Sequence, residues 1–569
     1  MTDKSTIVES EKPRMSQRQV LEALSGLLLG MFVSMLASTV VSTSLPVILN
    51  DLGGDQSAFT WVVTATLLTT AISTPVWGKL SDLVNRKLLY QLAIVIFILA
   101  TAAAGFSQDP GTMIAFRAVQ GIGAGGLAAL SQVLMADIIS PRERGRYMGL
   151  FGAIMALATV GGPLLGGVIT DAWGWRWNFY VALPISVVAL ILVQKTLHIP
   201  VLPKRKVSID FLGIILLSVA VSLLLIWVTN AGHDYDWWSP TTAWMVGGAV
   251  LAAALFVVVE LRHREPLIPL SLFKDRTFTL SVIASIATGI AMFGASVYLS
   301  QYMQLARGAT PTEAGMMTIP MMGGVLISST VVGALITRYG VWKPYLIAGS
   351  ISLAAGAYML STLHYDTQYI WVAIYMFLMG AGVGMTMQNL VLIVQNTSKP
   401  TEIGVASSGI TFFRSLGGSV GVAVMGAAVA TRVPELLAER QADLAKAIKS
   451  TGKQAPQWAE TLQSSALPRV SEMPEAIRII FEDSYAQGIS AAFLIAVPLA
   501  VLSLIAIVFL PNQPLTRMTT SERREALESE SAAPTTGTFM AQTLTGQLPV
   551  QSSDSPTAKR GKEKSRHDR

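Results

Sequence analysis

The 569-residue sequence contains no cysteine, few histidines and little charge. The lack of cysteine excludes disulfides, thiolate metal sites and cysteine nucleophiles. The five histidines are scattered, and no two have the spacing of metal ligands. Each Gly-Lys pair lacks the following Ser or Thr of a nucleotide-binding phosphate loop. The sequence therefore predicts no metal, no cofactor, no nucleotide partner and no enzymatic site.

Apolar residues make up 52% of the chain, whereas charged residues make up only 13%. Soluble domains usually contain about 25% charged residues. Fourteen apolar stretches of the sequence approach the roughly 20 residues that a helix needs to cross a bilayer core of about 30 Å. The loops between them leave no room for a soluble catalytic domain. We predict an all-α integral membrane protein with fourteen transmembrane helices.

Positive charge is distributed unevenly between the two sets of loops. The even-numbered turns carry seventeen Lys and Arg residues, whereas the odd-numbered short turns carry only Arg176 and Arg307. Because translocation disfavours positive charge, we expect the first set to be cytoplasmic, with both termini inside the cell and the protein in the plasma membrane. The net charge of +6 is then mainly a topology signal. The expected partner is the lipid bilayer, and nucleic acid is not expected.

Two turns of the sequence resemble each other. A shift of 255 residues places Gly78 on Gly333 and Asn85 on Gly340. Eight predicted helices separate the turns, which indicates two six-helix bundles with two inserted helices between them. Parallel repeats of this kind are typical of transporters that bind substrate between two rocking halves.

This repeat divides the chain into five regions. The C-terminal region is rich in Ser, Thr, Pro and charge, which predicts disorder. The one long external loop contains an amphipathic stretch at 434–449. This loop is also a candidate docking site for an outer partner. The regions are a cytoplasmic N-terminal tail at 1–20, an N-terminal bundle at 21–196, two inserted helices at 209–260, a C-terminal bundle at 277–510 with the external loop at 431–485, and a disordered cytoplasmic tail at 511–569.

Several motifs resemble those of a known transporter family. The turn Gly78-Lys-Leu-Ser-Asp-Leu-Val-Asn-Arg-Lys87 is similar to the loop 2–3 signature of the major facilitator superfamily. Arg117-Ala-Val-Gln-Gly-Ile-Gly-Ala-Gly125 and Gly161-Gly-Pro-Leu-Leu-Gly-Gly167 are similar to further signatures, the second to that of proton-driven exporters. With fourteen predicted helices, residues 20–510 resemble the fourteen-span drug:proton antiporter family of multidrug exporters.

The resemblance implies a gate at the first turn. A carboxylate at Asp82 can accept N–H groups at a helix N-terminus and pair with an arginine, which would clasp helices in one state of a cycle. Arg142 and Arg144 are possible partners, and Asn85 tolerates the left-handed geometry of a turn where the family has glycine. The alternative is that the charges of this turn only keep it on the cytoplasmic side of the membrane and have no gating role. The expected gating residues are Gly78, Asp82, Arg86, Lys87, Gly162, Pro163, Gly166 and Gly167.

The glycines of the predicted span 145–170 allow close approach of backbones, and Pro163 bends the helix. Close contact there would seal the two halves against a leak. Ordinary packing of small residues is the alternative.

Two arginines lie within apolar spans. A cation at bilayer depth is costly unless it faces the bundle or water, so Arg117 and Arg414 are candidate functional residues. The resemblance assigns Arg117 to proton coupling. The alternative is a structural arginine satisfied by neighbouring groups such as Gln120. We expect Gln120 and Arg414 to contact substrate.

The predicted span 369–396 contains a polar stripe. The polar residues are Gln388, Asn389, Gln395 and Asn396, of which Gln388 and Gln395 are two turns apart and share a face. This stripe either lines a path and binds substrate, or forms hydrogen bonds between helices.

The family aspartate of the first span is replaced by Ala37. Antiport needs a group that changes its charge, and Glu313 and Asp137 are the best remaining carboxylates for proton coupling, although both could be plain helix-end charges.

The predicted function is export of a small amphipathic drug or toxic metabolite in exchange for protons. Two alternatives stay open at this point. One is a dedicated exporter of a single lipid, siderophore or antibiotic, and the other is a non-transporting membrane sensor or scaffold.

Overall fold

The computed structural model is built from helices, and the regular structure of its described residues includes no strand beyond an isolated bridge between Ala231 and Tyr235. The structure describes residues 17–53, 56–140, 172–197, 210–231, 235–263, 266–309, 311–451, 473–516, 518–519 and 522–523, with isolated positions between 143 and 170.

The N-terminal bundle is described as six helices and a partly described segment. The described positions from 143 to 173 are helical and occupy the place of the predicted span 145–170. The helices are α1 (Gln17–Leu52), α2 (Gln56–Leu83), α3 (Arg86–Gly105), α4 (Pro110–Ile138), α5 (Trp177–Tyr180) and α6 (Ala182–Thr196).

Two inserted helices and the C-terminal bundle follow. A π-helical turn, Tyr302–Ala306, extends the first long helix of the C-terminal bundle, and Thr318 separates two helices in the place of one predicted span. The helices are α7 (Phe211–Asn230), α8 (Pro240–Arg262), α9 (Arg276–Gln301), α10 (Pro311–Met317), α11 (Ile319–Tyr339), α12 (Lys343–Leu360), α13 (Tyr369–Thr397), α14 (Ile403–Glu439), α15 (Gln441–Ser450) and α16 (Glu475–Val508).

Eleven helical stretches among the described residues are long and apolar enough to cross a membrane. Helices α2 and α12 run beside them in the bundle, and segment 143–173 is described only in part. The all-helical membrane architecture is therefore clear, whereas the count of fourteen spans stays a prediction.

The helices pack mainly in two sets. In the N-terminal half α4 packs on α2 and α3, and α1 packs on α6. In the C-terminal half α9 packs on α14 and α16, while α13 packs on α11 and α12. The halves meet where α2 and α4 lie against α14. A movement of one half against the other would change the contacts at this seam.

The inserted helix α7 lies on this seam. Its Leu217, Val221 and Leu225 are buried in one apolar cluster with residues of α2, such as Ile72, and of α14, such as Phe412. Helix α8 packs on α7 and exposes apolar side chains on its outer side. The pair therefore closes one side of the seam with α7 and faces lipid with α8.

The two ends of the bundle differ. We call the end where α2, α4 and α13 finish and α14 begins the clasp end. At the opposite end Trp177, Trp244 and Trp371 stand in the first turns of α5, α8 and α13, and each is more than half exposed. Exposed tryptophans at one level are typical of a membrane–water interface.

The region predicted as a long external loop, 431–485, is shorter than expected. Helix α14 continues to Glu439, α15 covers most of the predicted amphipathic stretch, and α16 begins at Glu475. Apolar side chains of all three helices cover one another, including Leu437, Ala447 and Ile477. This packing extends the flanking helices beyond the predicted bounds and covers the apolar face of α15. Residues 452–472 lie outside the described part.

The first residues of the predicted disordered tail, 511–569, are also ordered against the C-terminal half. We call the described residues between 510 and 523 the strap. Its main-chain oxygens at Leu510 and Gln513 accept hydrogen bonds from Lys343 and Trp342 at 2.7 and 2.8 Å. Arg523 donates to the carbonyls of Gln395 and Ser398 at the end of α13. The prediction of disorder was wrong here because the basic and apolar residues of the strap find partners on α12 and α13; residues 524–569 lie outside the described part.

Truncation should separate the strap from the rest of the tail. Leu510 and Leu515 are buried, and burial of each leucine contributes roughly 1.5–3 kcal/mol. A chain ending after residue 509 should therefore melt about 5 °C lower in detergent, whereas a chain ending after Arg523 should melt like the full chain. Equal melting temperatures for the two truncations would show that the strap does not stabilise the bundle.

Candidate functional site

The predicted clasp residue Asp82 connects the two halves. It lies in the last turn of α2 and accepts hydrogen bonds from the backbone N–H groups of Gly404 and Val405 at 3.0 and 2.9 Å. These groups belong to the first turn of α14, where a helix has N–H groups without partners of its own and the positive end of its dipole. The carboxylate of one half therefore caps a helix of the other.

A buried arginine holds this carboxylate in place. Arg86 donates to Asp82 at 3.0 Å, to Asp137 at 2.5 Å and to the carbonyl of Ser81 at 2.8 Å. The side chains of Arg86, Asp82 and Asp137 are each 4% exposed. Two carboxylates and one guanidinium leave one negative charge, which faces the N-terminus of α14. We call these three side chains, together with the first turn of α14, the clasp. The predicted partners Arg142 and Arg144 lie outside the described residues.

Gly78 allows the helices to come this close. A side chain at this position would collide with Ser408 and with the carbonyl of Gly404 on α14. The prediction that Gly78 belongs to the gate thus has a steric basis, because any larger residue would push α2 away from α14.

Two other residues of the turn act within the N-terminal half. Lys87 donates to the carbonyl of Gln194 at 2.8 Å and so ties α3 to α6. Asn85 does not adopt the left-handed geometry that we expected, since its φ is −59°, and it instead accepts hydrogen bonds from the N–H groups of Lys87 and Leu88 as the cap of α3. The expectation failed because Asn85 caps the start of α3 with its side chain, and a residue in this position keeps a negative φ.

The described glycines of the segment 143–173 pack against α1. Side chains at Gly162 and Gly166 would collide with Thr39 and Val40. Thr39 also donates to the carbonyl of Ala158 at 2.9 Å. These contacts lie within the N-terminal half, and the predicted seal between the halves stays a prediction. Pro163 and Gly167 lie outside the described residues.

A second set of hydrogen bonds joins the halves deeper in the bundle. Gln132 of α4 donates to the side-chain oxygen of Gln388 at 3.1 Å. Gln395 donates to the main-chain oxygen of Gln132 at 3.2 Å and to Ser407 of α14 at 2.7 Å. Gln388 and Gln395 share a face, as predicted, and this face meets the other half. Our reasoning from sequence missed Gln132, although an amide within an apolar span was a signal.

Asn389 lies beside this set but points elsewhere. Its amide donates to the carbonyl of Met385 in its own helix at 2.7 Å, while its buried side-chain oxygen has no hydrogen-bond partner among the described residues. This acceptor keeps Asn389 a candidate for contact with substrate.

Arg117 is held by neutral groups of its own half. Its guanidinium donates to Gln120 at 2.7 Å, and Gln120 donates to Thr101 of α3 at 2.8 Å. Arg117 forms no ion pair among the described residues, and its buried Nε has no hydrogen-bond partner there. Gln120, predicted to contact substrate, has both ends of its amide bonded within the bundle and so orients Arg117.

Arg414 is the second buried cation. It lies in α14, is 6% exposed and donates to the carbonyl of Met387 at 3.3 Å. Its backbone touches Gly289 of α9 so closely that no side chain would fit there. Arg414 is thus fixed between three helices of the C-terminal half.

Neither carboxylate proposed for proton coupling is bonded to Arg117 among the described residues. Asp137 is twenty residues further along α4, which corresponds to about 30 Å, and it belongs to the clasp. Glu313 is exposed in the short helix α10. The structure does not bring either of them together with Arg117.

The clasp can be tested with a single cysteine because the natural chain has none. Ser408 is fully buried where α14 meets Gly78. Removing one partner of a buried ion pair costs about 3 kcal/mol or more. Asp82→Asn should therefore raise the rate at which N-ethylmaleimide labels a Ser408→Cys variant at least tenfold.

Ser350 provides the matched control, since it is equally buried but lies in α12, away from the seam. Labelling of Ser350→Cys should stay slow in both backgrounds. Equal acceleration at both positions would mean general loosening rather than opening of the clasp.

Comparison with known proteins agrees with this architecture. The family model of the Major Facilitator Superfamily matches residues 27–422. The chain is 34% identical over 485 residues to Multidrug transporter protein MdtP of Bacillus subtilis, covering 85% of this chain and 87% of the relative. It is 31% identical over 493 residues to Multidrug resistance protein 3 of the same organism, covering 85% and 94%.

Solved structures share the fold at low sequence identity. The proton:xylose symporter XylE aligns with a TM-score of 0.55 at 15% identity, covering 90% of this chain and all of that one. With the family match and the all-helical architecture, the chain belongs to the major facilitator superfamily and is a multi-pass membrane transporter rather than an enzyme.

Proposed function

We propose that this protein is a secondary active efflux transporter that exports amphipathic drugs or toxic metabolites from the cell by proton antiport with alternating access. The names of its relatives support efflux of multiple drugs. The observation that carries the mechanism is the bond between Asp82 and the first turn of α14, because it joins the two halves through groups that can separate without breaking either half.

The position of the contacts between halves supports alternating access. The hydrogen bonds of Asp82, Gln132 and Gln395 across the seam all lie toward the clasp end. The basic loops predict that this end faces the cytoplasm. In this proposal the structure is the state with its cytoplasmic side closed, and opening of the clasp admits substrate from inside.

The N-terminal half is braced to move as a unit. At the end opposite the clasp Asp51 of α1 accepts hydrogen bonds from Trp175 and Arg176 at 2.8 and 3.1 Å, and these bonds lower its pKa. Arg176 also donates to the carbonyl of Ser107. These bonds tie α1, α3 and α5 together, which favours rigid-body rocking over bending of single helices.

Arg117 is the proposed coupling residue. Gln120 and Thr101 fix its guanidinium, and its unpartnered Nε leaves a donor for a group that arrives during the cycle. In this proposal protonation linked to Arg117 resets the transporter after release of substrate.

The proposal predicts substrate-induced proton release. In energised inverted vesicles that contain the full chain, adding a transported dye should release protons, and Arg117→Ala should abolish this release while the protein still elutes as a folded species in detergent. Arg338→Ala is the control, because Arg338 is exposed at the end of α11. Proton release that persists in Arg117→Ala would refute the coupling role, and dye transport without proton release in the natural chain would refute proton antiport.

A further inference from the structure

The bundle contains two buried arginines that have no negatively charged partner among the described residues. Arg117 and Arg414 are 2% and 6% exposed, one in each half. Their hydrogen-bond partners are the amide of Gln120 and the carbonyl of Met387, which are both neutral. Among the described residues neither arginine forms an ion pair. Arginine stays protonated in proteins, so both charges persist.

The buried carboxylates do not compensate for these charges, because they lie at helix ends. Asp82 and Asp137 share Arg86 at the clasp end. Asp210 caps the first turn of α7, and Glu260 accepts hydrogen bonds from the N–H groups of two residues that follow α8. In the sequence, the middle of each predicted span contains no Asp or Glu. Away from the helix ends, the described interior therefore carries two cations and no anion.

Two buried cations without ion pairs, one in each half, make the potential inside the bundle positive. Charges in a low-dielectric interior interact over longer distances than charges in water, and the field acts on any ligand that enters. An anion in the central region would be attracted by both arginines, whereas a cation would be repelled by both. The unpartnered Nε of Arg117 adds a buried hydrogen-bond donor that lacks an acceptor.

We propose that the transported substrates are organic anions, amphipathic compounds with a carboxylate or similar acidic group, rather than lipophilic cations. The inference rests on the proposed efflux function and names its substrate class. Arg414 is the residue of choice for a test, since Arg117 already has the coupling role. Ala37, buried in α1, is the place where a carboxylate can be added.

The test uses three dyes with one xanthene scaffold and different charge. Purified full-length protein in liposomes with a pH gradient should transport fluorescein, an anion at pH 8, with a kcat/KM at least tenfold above that of rhodamine 6G, a cation. Rhodamine B, which is zwitterionic, should fall between them.

Substitutions that change the charge at these two positions should move this preference. Arg414→Gln should lower kcat/KM for fluorescein about tenfold and leave or raise that for rhodamine 6G, whereas Arg414→Lys should keep the preference for the anion. Ala37→Asp should shift the preference toward rhodamine 6G, and Ala37→Asn, its neutral counterpart, should not.

The outcomes distinguish this inference from the function on which it rests. Efficient transport of rhodamine 6G by the natural chain, or an equal loss for all three dyes in Arg414→Gln, would overturn the substrate class alone. No transport of any dye by correctly folded protein would overturn the efflux function and the inference with it.

Discussion

The contact on which the structure depends is that between the Asp82 carboxylate and the first turn of α14. The carboxylate meets the free N–H groups at the start of a helix, and this contact crosses the seam between the two halves. Arg86 and Asp137 make the contact part of a buried network whose net charge suits the positive end of the α14 dipole. Gly78 supplies the close approach without which the bonds could not form.

Helix α14 leads from this contact through the C-terminal half. Its 37 residues correspond to about 55 Å of continuous helix, from the clasp to the packed helices at the opposite end. It also carries Arg414 and receives the bond of Gln395 through Ser407. Movement of its first turn would therefore displace a buried cation and the polar contacts beside it, which connects the gate to the region where we place substrate.

Much of this could be predicted from the sequence, because long apolar spans and motif spacing are local properties. The role of Asp82 as an acceptor for a helix start followed from its position in a turn, but the identity of that helix did not, since 322 residues separate Asp82 from Gly404. Gln120 was named as a partner of Arg117 because the two lie one turn apart on the same helix. Gln132 and the strap were missed, because their partners are distant in the chain and no local pattern specifies them.

The most direct test of the account is a distance between the halves at the clasp end. Spin labels at Leu88 and Tyr339, both exposed there on opposite halves, can be measured by pulsed electron resonance in lipid. Alternating access predicts one short distance in the resting protein and a second, longer one when substrate is added or when Asp82 is replaced by Asn. A single distance that stays the same under all these conditions would contradict it.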